Sequence, residues 1–474
     1  MDTIAITFPE VKVKIPIKDL SFNSLEDMLF EISQNIARKV FEKVLTDIDI
    51  YLRHNRKRGE LKNTGKRKKY FLTRFGDILY ARTRYQDKQG KTHYLLDEAL
   101  NIDKNQRISL IRARIECFLA SLSSYREVVG QARLLLGNFH SHESIRRRVI
   151  KEAKLIIENQ KRKLRKIRNL EYPEGHSLDT AYLEADATFI TLQKKGQERG
   201  GKLEVKLGIG YTGKEARYST GKSKRLKEKF TLVGMGKDFM EKLSLLAEEK
   251  LSLSKAKKIL FGGDGDSWII SGLGDYFPSA TYLLCFYHLF KRLREGLGRR
   301  KEEQKEIKGL LLSNQTDKAL SKIEQMIRGP YDQKEKDNLV KFYTYISRNR
   351  QGIANQVILK DQEIQRTGAI ESNINKVIAS RFKKRGMSWS KLGALSLLKI
   401  KETILNNEWN DWWEKGRGQK IKISKFNPPL SASYFKKEVE SSPLIEVSLP
   451  ALSGADQGKP WVGVLRKLTE VGYY

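Results

Sequence analysis

The order of strand and helix patterns between residues 178 and 286 restricts the fold more than any other feature of the sequence. Three successive strand patterns come first, over residues 178–192, 203–211 and 229–235. Helix and strand patterns then alternate, over residues 237–251, 258–261 and 281–286 with a short helical stretch before the last strand. The order β-β-β-α-β-α-β predicts an α/β fold with a ribonuclease-H-like core.

Two aspartates occupy unusual places in this pattern. Asp186 lies within the first strand pattern, where a charge among apolar residues is costly unless it is compensated. Asp264 directly follows the fourth strand pattern, between Gly263 and Gly265, which let the backbone approach a ligand closely. Because the first and fourth strands are neighbours in the predicted sheet, we expect Asp186 and Asp264 to meet at one end of it.

A third carboxylate, Glu371, stands near the start of a helical pattern formed by Ile370, Ile374, Val377 and Ile378, so it would lie at the edge of the core-facing side. Three carboxylates about 4 Å apart repel one another by about 4 kcal/mol per pair at an effective dielectric constant near 20. Divalent cations remove this repulsion. Ligation by oxygen alone predicts Mg²⁺ or Mn²⁺, and phosphodiester chemistry predicts two ions.

Each carboxylate also has a plainer interpretation. Asp186 would be an edge-strand charge that faces water, and Asp264 would be a turn aspartate, with Asp266 as the ligand in its place. Glu371 would favour the positive end of its helix or pair with Lys376. The order of the elements and the basic surroundings favour the joint site, so we expect Asp186, Asp264 and Glu371 to be both catalytic and metal-binding.

The charge of the chain predicts its partner. Lys and Arg number 91 and Asp and Glu 57, which gives a net charge of +34. Such a charge repels itself unless a polyanion is present, so nucleic acid is the expected partner and an anionic membrane surface the weaker alternative. No apolar run reaches the roughly 18 residues of a membrane span, and residues 1–30 lack a signal-peptide pattern. We expect a cytoplasmic, nucleoid-associated protein without a membrane partner.

The cysteine content excludes two classes of small domain. Cys117 and Cys285 are the two cysteines of the chain. They are too few for a disulfide framework, and a zinc ribbon would need about four ligands.

A basic run precedes the first strands. Residues 53–69 contain nine Lys or Arg and one Glu, and they lead into strand patterns over residues 70–94. This arrangement predicts a basic β-ribbon that contacts phosphates, with a solvated loop as the alternative.

Residues 124–149 have the pattern of a helix-turn-helix. Its second helix begins at the N-cap residue Ser141 and carries three consecutive arginines, Arg146, Arg147 and Arg148. We expect these arginines to bind DNA. The alternative is an ordinary helical hairpin with a basic outer face.

These patterns divide the chain into six segments. They are an N-terminal helix with the basic β-ribbon (1–106), a helical DNA-binding region (107–176), the first part of the core (177–288), a helical insertion (289–365), the closing helix of the core with C-terminal helices (366–415), and a linker and tail (416–474). The end of the second segment predicts a long basic helix that connects it to the core. Three tryptophans in the C-terminal helices, Trp409, Trp412 and Trp413, predict a packing patch.

Four short motifs resemble those of a known family. They are EADA at residues 184–187, GDG at 263–265, CFYH at 285–288 and AIESN at 369–373. They are similar to the D, D, C/D-x-x-H and E motifs of bacterial insertion-sequence DDE transposases related to the Mutator-like group. The resemblance covers roughly residues 178–400. It implies Mg²⁺-dependent cleavage of DNA at element ends and strand transfer to a target, with Asp186, Asp264 and Glu371 as the triad.

The resemblance also adds accessory residues. In the family, the pair that corresponds to Cys285 and His288 accompanies the catalytic centre, and both orientation of a carboxylate and contact with DNA are open as its role. Asp266 is a further accessory candidate. A basic segment beyond the Glu371 helix is expected to contact phosphates, with a solvated basic turn as the alternative; it consists of Lys383, Lys384 and Arg385.

The predicted function is therefore that of a DDE-type DNA transposase. The alternatives are a metal-dependent nuclease of the same fold and an inactive, transposase-derived DNA-binding protein. A homo-oligomer on DNA is expected by analogy, because two element ends must be held together.

Overall fold

The computed structural model describes residues 21–56, 59–136, 141–171, 175–194, 200–216, 224–359, 367–383 and 386–417. The strand predicted within the first 20 residues and the tail after residue 417 lie outside these ranges, as do Lys384 and Arg385.

An N-terminal helix packs against a three-stranded antiparallel sheet. The elements are α1 (Phe22–Asn55), β1 (Lys62–Thr73), β2 (Gly76–Gln86), β3 (Thr92–His93) and α2 (Leu95–Ala99). Strands β1 and β2 confirm the predicted ribbon, and its core includes Leu45, Phe71 and Ile78. Helix α1 begins where the Ser21 hydroxyl accepts a hydrogen bond from the Ser24 N–H.

The basic run of the ribbon is divided between solvent and this core. Lys66, Arg67 and Lys68 are exposed, so they are accessible to phosphates. Lys69 is buried, its Nζ lies 3.1 Å from Oδ2 of Asp97, and burial lowers the pKa of Lys69 to about 8. The last residue of the run therefore lies inside the core of the ribbon instead of presenting a charge at the surface.

Three helices follow, namely α3 (Leu110–Leu122), α4 (Tyr125–Leu136) and α5 (His142–Arg168). Ser141 is the N-cap of α5, as predicted, and its hydroxyl accepts a hydrogen bond from the Ser144 N–H. Residues 137–140, which would form the turn of the helix-turn-helix, lie outside the described residues.

The central sheet is mixed and has five strands. They are β4 (Leu178–Thr191), β5 (Lys202–Tyr211), β8 (Phe230–Gly234), β9 (Ala256–Gly263) and β10 (Thr281–Leu284), in the spatial order β10-β9-β4-β5-β8. Strands β10, β9 and β4 are parallel, whereas β5 runs antiparallel to β4 and β8. The predicted order of elements and the predicted pairing of the first and fourth core strands are thus confirmed.

A hairpin between β5 and β8 was not predicted. It consists of β6 (Gly213–Ala216) and β7 (Lys224–Lys227), which pair antiparallel. These segments are short and charged and lack the apolar alternation that marks a buried strand, so periodicity gave no signal for them.

One face of the sheet is covered by α6 (Phe239–Leu251), a short 3₁₀ turn (Leu253–Lys255) and α7 (Ser267–Tyr276). These elements form a core with side chains of β4 and β9, among them Leu183, Ala185 and Phe261.

The predicted insertion is helical throughout its described part. Its helices are α8 (Phe286–Leu297), α9 (Lys301–Leu312), α10 (Thr316–Arg328), α11 (Gln333–Arg348) and α12 (Arg350–Ile358). They share a core of their own around Leu289, Ile323 and Phe342. The last core strand ends at Leu284, two residues earlier than predicted, because Cys285 is the N-cap of α8.

The chain then returns to the sheet. Helix α13 (Ile370–Ile374) continues through a π-helical segment (Asn375–Ala379) into α14 (Ser380–Phe382), and α15 (Lys391–Leu405), α16 (Trp409–Asp411) and a second π-helical segment (Trp412–Gly416) follow. The three tryptophans of this region are buried in the main core, which confirms the predicted packing patch.

Helix α5 packs into the main core. The sequence had instead predicted a helix that connects two separate regions. Its apolar residues Ile145, Val149 and Ala153 belong to one continuous core with Val205 of the sheet and Leu397 of α15. The predicted boundary near residue 176 therefore does not separate two hydrophobic cores, because the basic helix buries its apolar side against the C-terminal helices. None of the helices in the described ranges combines the length and apolar character needed to cross a membrane.

A buried carboxylate joins α5, α15 and the sheet. Glu402 is 1% exposed. It accepts hydrogen bonds from the N–H of Val233 at 2.6 Å, from Nε2 of Gln160 at 2.7 Å and from Nζ of Lys399 at 2.8 Å. One side chain therefore satisfies donors from three separate elements.

We expect Glu402→Ala to lower the free energy of unfolding by about 3–5 kcal/mol, because it leaves the charge of Lys399 and the N–H of Val233 buried without an acceptor. Glu402→Gln should cost less, since its amide oxygen still accepts one of these bonds. Urea unfolding followed by circular dichroism measures both. Glu158→Ala, at an exposed ion pair of the same helix as Gln160, is the matched control and should change stability by less than about 1 kcal/mol. Equal costs for the alanine variants would contradict this account.

Candidate metal-binding site

The parallel pairing of β4 with β9 brings two aspartates together. The register pairs Glu184 with Gly262, and continuing it by two residues places Asp186, within β4, beside Asp264, which directly follows the end of β9. Asp186 is 4% exposed, and its Oδ1 accepts a hydrogen bond from the N–H of Ala187 at 2.6 Å. The sheet therefore confirms that these two predicted residues meet.

The turn after Asp264 is held by the helical insertion. Oδ1 of Asp264 accepts a hydrogen bond from the N–H of Asp266 at 3.0 Å, and its backbone oxygen accepts one from the hydroxyl of Tyr345 at 2.8 Å. Gly265 has φ +89°, and a Cβ there would lie 2.7 Å from the side chain of Asn349. Backbone conformation and space both require glycine at this position.

His288 completes a group of three ligands. One ligand atom from each of Asp186, Asp264 and His288 lies within 4.8 Å of the other two. The motif resemblance singled out His288 but left its role open. His288 lies near the start of α8 because a single residue, Cys285, separates β10 from that helix.

Glu371 reaches this group through the histidine. Its Oε1 lies 3.0 Å from Nε2 of His288, and its side chain is 34% exposed. The closest group of ligands thus contains an imidazole, which differs from the predicted set of three carboxylates. The difference arises because Glu371 stands near the start of a helix that packs on β4 and β5, and its carboxylate lies beside His288 at the start of α8.

Burial and like charge dominate the electrostatics of the site. Burial, reinforced by the charge of Asp264, raises the pKa of Asp186 to about 8. Burial also raises the pKa of Asp264 to about 6. Burial lowers the pKa of His288, against the opposing effect of the Glu371 carboxylate. The buried Nδ1 of His288 has no hydrogen-bond partner among the described residues.

Glu184 is a further candidate for a functional residue, and it was not predicted from the sequence. It is 1% exposed and lies on the same side of β4 as Asp186. Its carboxylate accepts hydrogen bonds from the N–H groups of Gly368, Ala369 and Ile370, at 2.8, 3.1 and 3.0 Å. The hydroxyl of Tyr211 donates a fourth bond at 2.6 Å.

The three backbone bonds fix the start of α13 against the strand that carries Asp186, and the bond from Tyr211 holds the Glu184 carboxylate. Glu184 therefore positions the helix of Glu371. The available signal was a second acid in the EADA motif, two residues before Asp186 and on the same side of the strand.

The other two accessory candidates, Cys285 and Asp266, contribute to the local backbone structure next to the site. Cys285 is buried, burial raises the pKa of its thiol, and its N–H donates to the Gly263 oxygen at 2.8 Å. This bond extends the pairing of β10 with β9. Asp266 is the N-cap residue of α7 and lies next to Asp264, outside the group of three ligands.

The predicted DNA-binding arginines of α5 have different environments. Arg146 and Arg147 both donate hydrogen bonds to Glu143 on the outer side of the helix, and the Arg147 side chain is 77% exposed. Arg148 points inwards and forms an ion pair with the buried Glu116. That Arg148 binds DNA stays a prediction, and this position disfavours it, because the Arg148 charge is paired with Glu116 inside the helical core.

Lys383 lies close to the candidate site. It is exposed, and its Nζ donates a hydrogen bond to the hydroxyl of Thr188, two residues beyond Asp186 on β4. The described part of the predicted basic segment is thus at the same end of the sheet as the ligands.

The fold and the site define a mixed α/β protein with a cluster of two aspartates and a histidine at the carboxyl edge of its parallel strands. The chain belongs to the uncharacterised protein family UPF0236, whose family model matches residues 17–416.

Its similarity to individual relatives is low in identity but long in coverage. A UPF0236 protein of Caldanaerobacter subterraneus subsp. tengcongensis is 21% identical over 430 residues, which is 89% of this chain and 86% of the relative. A second protein of that organism, whose name covers eleven loci, is 22% identical over 89% of this chain and 85% of its own length. A UPF0236 protein in the vanSb 3′ region of Streptococcus gallolyticus is 25% identical over 68% of this chain and 70% of the relative.

We expect Glu184→Gln to accelerate amide hydrogen exchange at residues 368–370 and to lower the free energy of unfolding by about 1–3 kcal/mol, because its amide group replaces an acceptor with a donor. Hydrogen exchange followed by mass spectrometry measures the first effect. Tyr211→Phe is the control, since it removes one donor and leaves the three backbone bonds in place. Unchanged exchange at these residues in Glu184→Gln would show that the carboxylate does not hold the helix.

Proposed function

We propose that this protein is a DDE-type DNA transposase that cleaves element ends and transfers the strands to a target by metal-dependent phosphodiester chemistry. Asp186, Asp264 and Glu371 are its catalytic acids in this proposal. The observation that carries it is the convergence of Asp186, Asp264 and His288, with Glu371 in contact with the histidine.

The topology supports a ribonuclease-H-like core. Strands β4, β5 and β8 pair antiparallel. The next two strands in the chain, β9 and β10, lie on the other side of β4 and run parallel to it, and a helix precedes each of these two strands. The third acid comes from a helix after a long insertion. This is the arrangement that the predicted order β-β-β-α-β-α-β describes.

The donor set fits Mg²⁺ or Mn²⁺. Carboxylate oxygens suit both ions, and the imidazole is more favourable to Mn²⁺ than oxygen ligands alone would be. The raised pKa values of Asp186 and Asp264 reflect charges that burial penalises, and a bound cation would favour their ionised forms. Asp186 and Asp264 would hold the ion with His288, and a second ion would require Glu371 as a ligand.

When bound, a divalent cation would supply electrophilic activation of the phosphate and a lower pKa for the attacking water or 3′-hydroxyl. The protein groups have separate tasks. Oε1 of Glu371 lies 3.0 Å from Nε2 of His288, so Glu371 would orient the imidazole ring. Glu184 and Tyr345 hold the two segments that carry Glu371 and Asp264. No covalent intermediate with the protein is needed, so no Ser or Tyr nucleophile is proposed.

Two further observations favour a transposase. The name of one relative covers eleven loci of a single genome, and repeated copies are what a self-copying element produces. The net charge of +34 favours a polyanionic partner such as double-stranded DNA. A homo-oligomer assembled on two element ends, in the nucleoid, is the form in which we propose that the protein acts.

We expect Mg²⁺ or Mn²⁺ to raise the Tm of the protein, by an amount that corresponds to about 2.7 kcal/mol when the ion is present at 100 times its Kd. Asp186→Asn and Asp264→Asn should abolish this increase and should themselves be no less stable in EDTA at pH 8, because they remove a buried like charge. Differential scanning fluorimetry makes the comparison. The control is Asp275→Asn, an exposed residue of α7, which should keep the full increase. An equal increase in all four proteins would remove the metal site from the proposal.

The direct test is a cleavage and joining assay with Mg²⁺ and labelled DNA that carries the sequences flanking the gene. We expect nicks at defined terminal positions and products joined to a target DNA. Asp186→Asn, Asp264→Asn and Glu371→Gln should reduce both to background and retain DNA binding, and His288→Ala should lose about 10–100-fold in activity.

Asp275→Asn again serves as the control and should be fully active. Metal-dependent cutting without positional preference would contradict the transposase and favour a nuclease of the same fold. DNA binding without cleavage would indicate an inactive, transposase-derived DNA-binding protein.

A further inference from the structure

A groove with a volume of about 920 Å³ lies between the β6–β7 hairpin and the helix of Glu371. One wall is formed by Ser372, Asn373 and Lys376, which follow Glu371 within five residues. The other wall is the hairpin itself. The groove is far larger than a single ion or phosphate requires, and it begins on the element that carries a proposed catalytic acid.

The groove is strongly basic. Six cationic side chains line it, namely Lys214, Lys224, Arg225, Lys227, Lys229 and Lys376. Against them stand Glu215 and Glu228, and Glu215 is paired with Arg225 across the hairpin. Lys224, Lys227 and Lys376 are exposed to solvent.

Its walls are joined by a specific contact. Nζ of Lys229, just before β8, donates a hydrogen bond to Oδ1 of Asn373 at 2.9 Å, and Nδ2 of Asn373 donates to the Ala369 oxygen at 2.8 Å. Burial lowers the pKa of Lys229, and the charge of Lys376 adds to the effect. The cations of the two walls therefore repel one another, and a bound polyanion would relieve this repulsion.

The described lining contains no aromatic side chain. Proteins that read or grip bases in single strands stack them on aromatic rings, whereas Lys and Arg contact phosphates without regard to sequence. The chemistry of the groove therefore suits a sugar-phosphate backbone and not the faces of bases.

We propose that this groove binds the phosphate backbone of a DNA strand, independently of its sequence, and directs that strand to the site beside Glu371. The inference rests on the proposed function only for the choice of DNA as the polyanion. It assigns a binding role to a hairpin that lies outside the four motifs of the family resemblance.

The test is a lysine-protection experiment on the Asp264→Asn protein in EDTA, so that no chemistry is required. The protein is acetylated with and without a duplex of about 30 base pairs, and the modified lysines are identified by mass spectrometry. We expect DNA to reduce the acetylation of Lys224, Lys227 and Lys376 at least about fivefold, with the same result for two unrelated sequences. Three exposed lysines of the insertion should react equally in both samples and serve as internal controls; they are Lys305, Lys318 and Lys334.

A set of substitutions gives the second measurement. Replacing Lys224, Lys227 and Lys376 by Ala should lower the slope of log K against log salt for DNA binding by about two to three, because each lost phosphate contact reduces it by about one. Replacing the three insertion lysines by Ala should leave the slope unchanged. Uniform reactivity in the first experiment, or equal slopes in the second, would overturn the groove as a DNA site.

The outcomes separate this inference from the proposed function. Selective protection in a protein that never cleaves DNA would retain the groove and reject the transposase. Cleavage and joining at element ends, with equal protection of the groove lysines and the insertion lysines, would support the transposase and reject the groove as a DNA site.

Discussion

The parallel pairing of β4 with β9 is the interaction on which the candidate site depends. It connects the first and fourth core strands and places Asp186 and Asp264 at one edge, where both side chains are withdrawn from water. Burial and the charge of Asp264 raise the pKa of Asp186, because two ionised carboxylates in such a place repel each other, and a cation would remove that repulsion. The surrounding contacts hold these groups together against that repulsion.

Two of these contacts come from segments far away in sequence. Glu184 accepts the N–H groups of Gly368, Ala369 and Ile370, where the Glu371 helix begins, so a buried acid on the central strand fixes an acid that comes from the other side of the insertion. The hydroxyl of Tyr345, within the insertion, fixes the turn of Asp264. The insertion therefore takes part in the geometry of the site, and its removal would release the turn that carries one ligand.

The excess of positive charge is distributed unevenly. Arg112 and Arg148 meet Glu116 inside the helical core, and Arg381 is buried against the carbonyl oxygen of Ala120. These charges contribute to internal packing and not to the field that DNA would experience. By contrast, exposed cations line the groove beside the Glu371 helix and one side of the β-ribbon. The position of the charges, more than their total, thus indicates where a nucleic acid would lie.

Periodicity and turn residues in the sequence determined the order of strands and helices, the helical nature of the insertion and the neighbourhood of Asp186 and Asp264. These features depend on local patterns and on the few ways in which such patterns form a sheet. The sequence did not reveal the β6–β7 hairpin, the ion pair of Arg148 with Glu116, the contact between Glu371 and His288 or the contacts of Glu184. Each of these depends on which side chain meets a partner from a distant segment, and only the tertiary structure decides that, because burial and hydrogen bonding across segments leave no periodic trace in either segment alone.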